Sequence, residues 1–220
     1  QKFTELFRTV RKSRKRQLFT EEGGYTMRKE GQDRRVRKTR KQLKDCLIQL
    51  LKEKKVQDIT VRELTEMADL NRGTFYLHYK DVFDLLEKTE AELFEEFNSL
   101  VLSHDAQDLR QRPSLIFHEI FSLVYENADL VEILMGENGD LNFINRLKHL
   151  VREKCLRDWM EVFRSGDPMV FEAYFSFIVS GCVGLVQYWL QGGLKETPEQ
   201  MALLAEQIIL QGINVLEREK

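Results

Sequence analysis

The chain has 220 residues, with 34 Lys or Arg against 36 Asp or Glu, 42% hydrophobic residues, 3 Pro, 12 Gly and 3 Cys. So few prolines and glycines exclude collagen-like and Pro-rich disordered chains and disfavour many short strands, which leaves an all-α chain with room for a substantial core. Cys46, Cys155 and Cys182 are widely spaced, odd in number and without a CxxC pair, which supports neither a disulfide framework nor a zinc knuckle and fits a reducing cytoplasm.

The near-neutral total conceals a polar distribution. Residues 1–80 hold 22 Lys or Arg and 11 Asp or Glu, whereas residues 81–220 hold 12 and 25. A basic head on an acidic body points to a polyanion, nucleic acid first, as the partner of the head. The run Ala173 to Val186 is closed by Glu172 and Gln187 and is short for a bilayer span, so it reads as a core helix and no membrane partner is expected. The basic run at 11–16 has no apolar segment or cleavage site after it and is not a secretory signal.

At the start of the chain, Glu22-Gly23-Gly24-Tyr25-Thr26-Met27 can be encoded by a purine-rich ribosome-binding sequence followed by ATG. Residues 1–26 therefore read as upstream sequence translated in frame, with Met27 the natural start; the alternative is a genuine basic arm that adds phosphate contacts. The segment 34–41 (RRVRKTRK) leads into a helix expected from about Arg34 to Lys54, with Leu43, Leu47, Ile48, Leu50 and Leu51 at helical spacing. Thr60 followed by Glu63 is a capping-box pattern that opens a short helix, with Leu64, Met67 and Ala68 as its buried face. Asp69-Leu70-Asn71 forms a turn, and a further helix runs from Arg72 to Tyr79. A short helix, a tight turn and another short helix make a helix-turn-helix.

From Val82 to about Leu102 a longer helix, capped by Asp81, carries Val82, Phe83, Leu85, Leu86, Leu93, Phe94 and Phe97 as its apolar face and connects head to body. Helices are then expected at Pro113–Tyr125, Ala128–Met135, Leu141–Phe163, Met169–Gln191 and Glu199–Glu217. The organisation is an N-terminal extension at 1–33, a three-helix DNA-binding head at 34–80, a connecting helix at 81–102 and a larger helical body at 103–220.

The sharpest signal is Leu70-Asn71-Arg72-Gly73-Thr74-Phe75-Tyr76-Leu77-His78-Tyr79-Lys80-Asp81. It resembles the recognition helix of the TetR family of bacterial transcriptional regulators, specifically over about Arg34 to Phe97 and more loosely beyond. The resemblance implies that Arg72, Thr74, Tyr76 and His78 face the major groove or its phosphates and that Lys80 contacts the backbone. The chemistry is compatible: Arg72 can fork onto guanine, Thr74 can offer a hydroxyl or a methyl, and Tyr76 and His78 can bond phosphate oxygens. Gly73 would let the backbone approach DNA closely. Arg37, Lys38 and Arg40 are suited to phosphates, as are Thr60 and Arg62, although Thr60 is equally read as a plain cap. Asn71 and Tyr79 complete the candidate interface, with Phe75 and Tyr79 placed inward by spacing. Many family members carry Lys at the position held here by Val82, so one phosphate contact is in doubt. Asp58, Glu63, Glu66 and Asp69 are expected to face away from DNA.

For the body, the resemblance implies a homodimer through the last two long helices, with Ile178, Gly181, Cys182, Leu185, Trp189, Leu204, Ile208 and Val215 as the seam; an intramolecular core is the alternative. Phe117, Phe121, Tyr125, Phe143, Trp159 and Phe163 are candidates to line an effector pocket, or else form ordinary core. His118 and His149 stand alone, so no metal or cofactor is implied. No phosphate loop, nucleophile elbow, HExxH or paired catalytic carboxylates occur, and an enzyme is not expected. The combined expectation is a cytoplasmic homodimeric repressor that binds a palindromic operator and is released by an effector. The alternative is an activator or adaptor that binds DNA and a protein partner without a small-molecule pocket.

Overall fold

A computed structural model describes residues 26–104, 113–136, 141–162 and 167–212, without the side chains at 26–33, 113, 141, 155–162 and 168. The described residues form helices only: α1 (Thr26–Leu51), a 3-10 turn (Val56–Asp58), α2 (Val61–Met67), α3 (Arg72–Tyr76), α4 (Val82–Leu102), α5 (Pro113–Glu126), α6 (Ala128–Met135), α7 (Leu141–Val162), α8 (Pro168–Gln191) and α9 (Pro198–Gln211). Compact units comprise residues 1–41 and 42–220, so the helix-turn-helix and the body belong to the same unit.

Local chemistry sets most boundaries. The side chains of Asn71, Asp81 and Thr197 each accept a backbone N–H in the first turn of α3, α4 and α9. The full capping box expected at Thr60 forms only in part. Thr60 Oγ1 accepts the Glu63 N–H at 3.2 Å, while the Glu63 carboxylate pairs with Lys54. That pairing holds the Glu63 carboxyl below its ordinary range, the hydrogen bond from Lys54 being the largest cause. Reciprocal capping occurs instead at Thr197 and Gln200. The turn between α2 and α3 uses Asp69 at φ 50, a left-handed conformation that Asp tolerates better than most residues.

Two apolar clusters organise residues 42–220. In the head, Leu43, Cys46, Leu47 and Leu50 of α1 pack with Ile59, Leu64, Ala68, Phe75 and Tyr79, closed by Val82 and Leu85 from the first turn of α4. In the body, Leu93 of α4 joins Phe121, Leu130, Leu134, Phe143, Val186, Trp189 and Met201. Helix α4 therefore contributes to both cores, as its connecting role requires. Ile48 of α1 also packs on the body cluster, and Lys52 Nζ reaches Asp129 Oδ1 at 2.7 Å. Arg152 on α7 holds Glu172 on α8 through two hydrogen bonds of 2.7 and 3.0 Å.

Several expected faces are corrected. Met67 and Phe83 are exposed rather than buried. Thr65 takes the inward place in α2, its hydroxyl satisfied by the carbonyls of Val61 and Arg62. Helix α3 is three residues shorter than expected, with Leu77 as its C-cap. Helix α8 is long and apolar enough, by length and composition, to cross a membrane, because the helix extends beyond the run on which the sequence argument rested. Its C-terminal part is nevertheless built into the body, where Val186, Trp189 and Leu190 are core.

Trp189 is the clearest correction to the expected dimer seam. It is 0% exposed, packs edge-on against Phe121 at 5.4 Å and donates its indole N–H to the Glu196 carbonyl at 3.0 Å. A side chain with no accessible surface cannot face a second subunit. Trp189→Ala is expected to lower the stability of the fold by about 3–5 kcal/mol, measured by denaturant unfolding.

Candidate nucleic-acid interface

Helix α3 has only five residues and is too short to persist alone. Phe75 and Tyr79 hold it, one helical turn apart, with both rings buried and their centroids 5.7 Å apart. The helical hydrogen-bond register runs past the formal end of α3: the Leu77 N–H donates to Gly73 O and the Tyr79 N–H to Phe75 O. The opposite side of α3 is consequently turned outward.

Arg72, Gly73, Tyr76 and Lys80 are exposed, and Thr74 and His78 are half-buried beside them. These residues form a surface with hydrogen-bond donors and two fixed positive charges. Asn71 is exposed, but its side-chain oxygen accepts the Gly73 N–H at 2.8 Å, so its work is to cap α3. Tyr79 is a correction: 6% exposed, its ring belongs to the head core rather than to a DNA-facing surface. Val82 is likewise core, so its side chain is not available for the backbone contact that the resemblance put in doubt.

On α2, the exposed Thr60 hydroxyl oxygen serves as the cap, and Arg62 Nε bonds Glu66 Oε1 at 2.7 Å, both side chains being exposed. A phosphate would have to compete with Glu66 for that guanidinium. Arg37, Lys38 and Arg40 are exposed on α1.

Two positioning residues escaped the sequence reading. Asp84 Oδ2 accepts both the Lys80 N–H at 2.9 Å and Lys88 Nζ at 2.8 Å, while Lys88 also donates to the His78 carbonyl at 3.2 Å and lies 5.2 Å from the centre of the Tyr79 ring. The pair clips the segment that follows α3 onto α4. The bond from Lys88, followed by that from the Lys80 N–H, holds the Asp84 carboxyl below its ordinary range. A depressed carboxylate contributes stability above its unfolded pKa and loses it as pH falls through the folded value, so the clip is intact at neutral pH. The available signal was the Asp84/Lys88 spacing of four residues on a helix, but such pairs are common on solvated helix faces.

In the body, Phe121 and Phe143 are core, Phe117 packs against them, and Tyr125 is an exposed ring stacked on Trp189 at 6.1 Å rather than an enclosed pocket wall. Phe163 and the Trp159 side chain lie outside the described residues. Of the expected seam, Gly181 and Ile208 are exposed, Ile178, Cys182 and Leu185 are half-buried, Leu204 packs on the body core and Val215 lies outside the described residues. Burial pushes the Cys182 thiol up to about 11, so it remains protonated at neutral pH and behaves as a small apolar group. The Cys155 side chain is outside the description. Among the described residues, no group of three or more His, Cys, Asp or Glu is placed to hold a metal.

A short capped helix presented outward from a three-helix head, followed by a helical body, is a helix-turn-helix architecture. Residues 111–211 match the TetR family model described as a transcriptional regulator C-terminal region. A Bacillus subtilis (strain 168) protein described as an uncharacterized HTH-type transcriptional regulator, YxbF, is 24% identical over 174 residues; the match covers 77% of this chain and 44% of that relative's length. Among solved structures, the fatty acid degradation regulator FadR from Bacillus halodurans has a TM-score of 0.58 and 16% identity, with 80% of this chain and 96% of that chain covered. A TetR regulator from Streptococcus agalactiae 2603V has a TM-score of 0.53 and 22% identity, covering 82% and 98%. A TetR family regulator from Marinobacter aquaeolei VT8 gives 0.58 and 19%, covering 80% and 96%. These structures share the fold. Over residues 111–211 the chain is similar to the TetR family's C-terminal region, and its helical fold is that of the TetR regulators of known structure.

Tyr76 and Tyr79 offer a direct test of this geometry. Tyr79→Ala is expected to destabilise the head by about 3 kcal/mol or more through the cavity it leaves, whereas Tyr76→Ala, which removes an exposed ring packed edge-on against Phe75 at 5.5 Å, should cost no more than about 1.5 kcal/mol. Urea unfolding of the two variants checks both values.

Proposed function

We propose that this protein is a sequence-specific, homodimeric transcriptional repressor that binds a palindromic operator and is released by an effector that alters the body. The observation that carries the reading is the outward surface of residues 72–80, where Arg72, Tyr76 and Lys80 are exposed while Phe75 and Tyr79 are buried. Arg72 reads a base edge, Tyr76 and His78 bond phosphate, and Lys80 with the basic residues 37, 38 and 40 supplies salt-dependent attraction. The setting is the cytoplasm.

Dimerisation is supported by the face that α8 leaves open. Val170, Tyr174, Phe177, Gly181, Gly184 and Tyr188 lie along one exposed stripe, and Leu203 and Leu210 are exposed on α9. A Cβ added at Gly181 or Gly184 would meet nothing within 4 Å, so packing inside the protomer does not require those glycines. Phe177 is 75% exposed at the middle of the stripe. A long apolar face of this kind calls for a partner, and a second copy would bring two recognition helices onto successive major grooves. This seam lies further around α8 than the one expected from spacing.

Release is assigned to the contacts between α1 and the body, namely Ile48 on the body core and Lys52 on Asp129. An effector bound near Phe117, Phe121 and Phe143 would have to favour a state in which these contacts differ. The second reading, an adaptor without a pocket, is favoured by the use of Phe121 and Phe143 as buried core.

Selection of bound sequences from random double-stranded DNA tests the reading. A palindromic consensus is expected; salt-sensitive binding without enrichment would move the assignment to the adaptor. Arg72→Ala should weaken operator binding by about 1–3 kcal/mol and relax one base position, while Lys80→Ala should weaken all sequences alike and flatten the salt slope. Phe177→Asp should give a folded monomer in sedimentation; a folded dimer would refute the seam. Lys52→Ala should change operator affinity or effector response with little change in stability, since an exposed ion pair contributes at most about 1 kcal/mol.

A further inference from the structure

We propose that Leu77 reads the C5 methyl group of a thymine in each half-site, with Gly73 one turn earlier allowing the helix to come close enough for the contact. This rests on the DNA-binding reading above and assigns part of its specificity. At about 3.6 residues per turn, the buried Phe75 and Tyr79 fix one side of the recognition segment, and positions 73 and 77 form the ridge on the other. The hydrogen bond from the Leu77 N–H to Gly73 O, 3.2 Å, joins the two residues of that ridge. Leu77, at 79% exposed, is the most exposed of the exposed large apolar side chains among the described residues.

A single exposed leucine is ordinary on a protein surface. Its position makes this one informative: it stands at the apex of a segment whose exposed neighbours are Arg72, Tyr76 and Lys80. Gly73 adds an independent observation. A Cβ there would lie 3.4 Å from Asn71 Oδ1, an ordinary contact, and the backbone is not in the left-handed region, so nothing within the protomer demands glycine. Glycine weakens a helix already only five residues long. The missing side chain is accounted for by a surface that must come close from outside.

The chemistry selects the base. On the floor of the major groove, the thymine C5 methyl is the apolar group that a base pair offers. A leucine side chain has no donor or acceptor, so pressing it onto the amino or carbonyl edge of a G·C pair would strip water from polar groups and return no hydrogen bond. Attraction to the methyl and this penalty act in the same direction, as specificity requires.

The test uses duplexes carrying the selected operator, in which thymines are replaced one position at a time by deoxyuridine, symmetrically in both half-sites. This removes the methyl and preserves base pairing. The wild-type protein should lose affinity at one thymine position per half-site, by about four-fold for each methyl contact removed. Leu77→Ala should bind the unmodified operator more weakly and be indifferent to uracil at that position, while Leu77→Met should keep the sensitivity. Circular dichroism should show the variants folded, because the side chain is exposed. Wild-type indifference to uracil at every position, or a Leu77→Ala variant as sensitive as wild type at the same thymine, would overturn the assignment and leave the DNA-binding reading standing. Failure to select any operator would overturn both.

Discussion

The burial of two aromatic rings, Phe75 and Tyr79, governs what the head can do. Helix α3 is far too short to be stable by its own hydrogen bonds; packing of those rings among α1, α2 and the first turn of α4 gives it both existence and rotation. Once the inward side is set, the outward positions follow from helical geometry. The Asn71 cap fixes where the helix begins, and the Asp84–Lys88 clip fixes how the chain leaves it. The surface assigned to DNA is therefore rigid for reasons that lie behind it.

Helix α4 transmits this order to the rest of the molecule. Val82 and Leu85 belong to the core of the head and Leu93 to that of the body, so a rotation or shift of α4 would be felt in both. Ile48 and the Lys52–Asp129 pair form a second connection, from α1 to the body core and to α6. The pair is exposed and weak, whereas the Ile48 contact is apolar. A connection composed in this way can be rearranged without unfolding either core.

The helix order was legible in the sequence because caps and breaks are local signals: Asn71, Asp81 and Thr197 each cap the helix that follows them. The helix-turn-helix was legible because its turn and buried aromatics lie within a short window. Which face of an apolar helix points inward was not legible. Helix α8 is apolar around most of its circumference, so Cys182, Leu185 and Trp189 made as plausible a stripe as Tyr174, Phe177 and Tyr188; only the position of α5 decided that Trp189 meets Phe121. Met67 and Phe83 failed for the same reason, since residue type favoured burial and the neighbouring elements provided no cover. The Lys88 contact to the His78 carbonyl spans ten residues and a change of chain direction, which no periodicity reports.

The segment from Arg72 to Lys80 separates two kinds of constraint along one short stretch of chain. Phe75 and Tyr79 answer to the interior, while Arg72, Gly73, Tyr76, Leu77 and Lys80 answer to whatever lies outside. Substitutions at exposed positions away from special features change stability little, so the outward set can vary without endangering the fold. A lineage of such proteins could change the chemistry of this outward surface by drift at these few codons, with the buried aromatics unchanged. The alternation of buried and exposed positions thus leaves the outward surface free to vary and keeps the scaffold conservative within the same short segment.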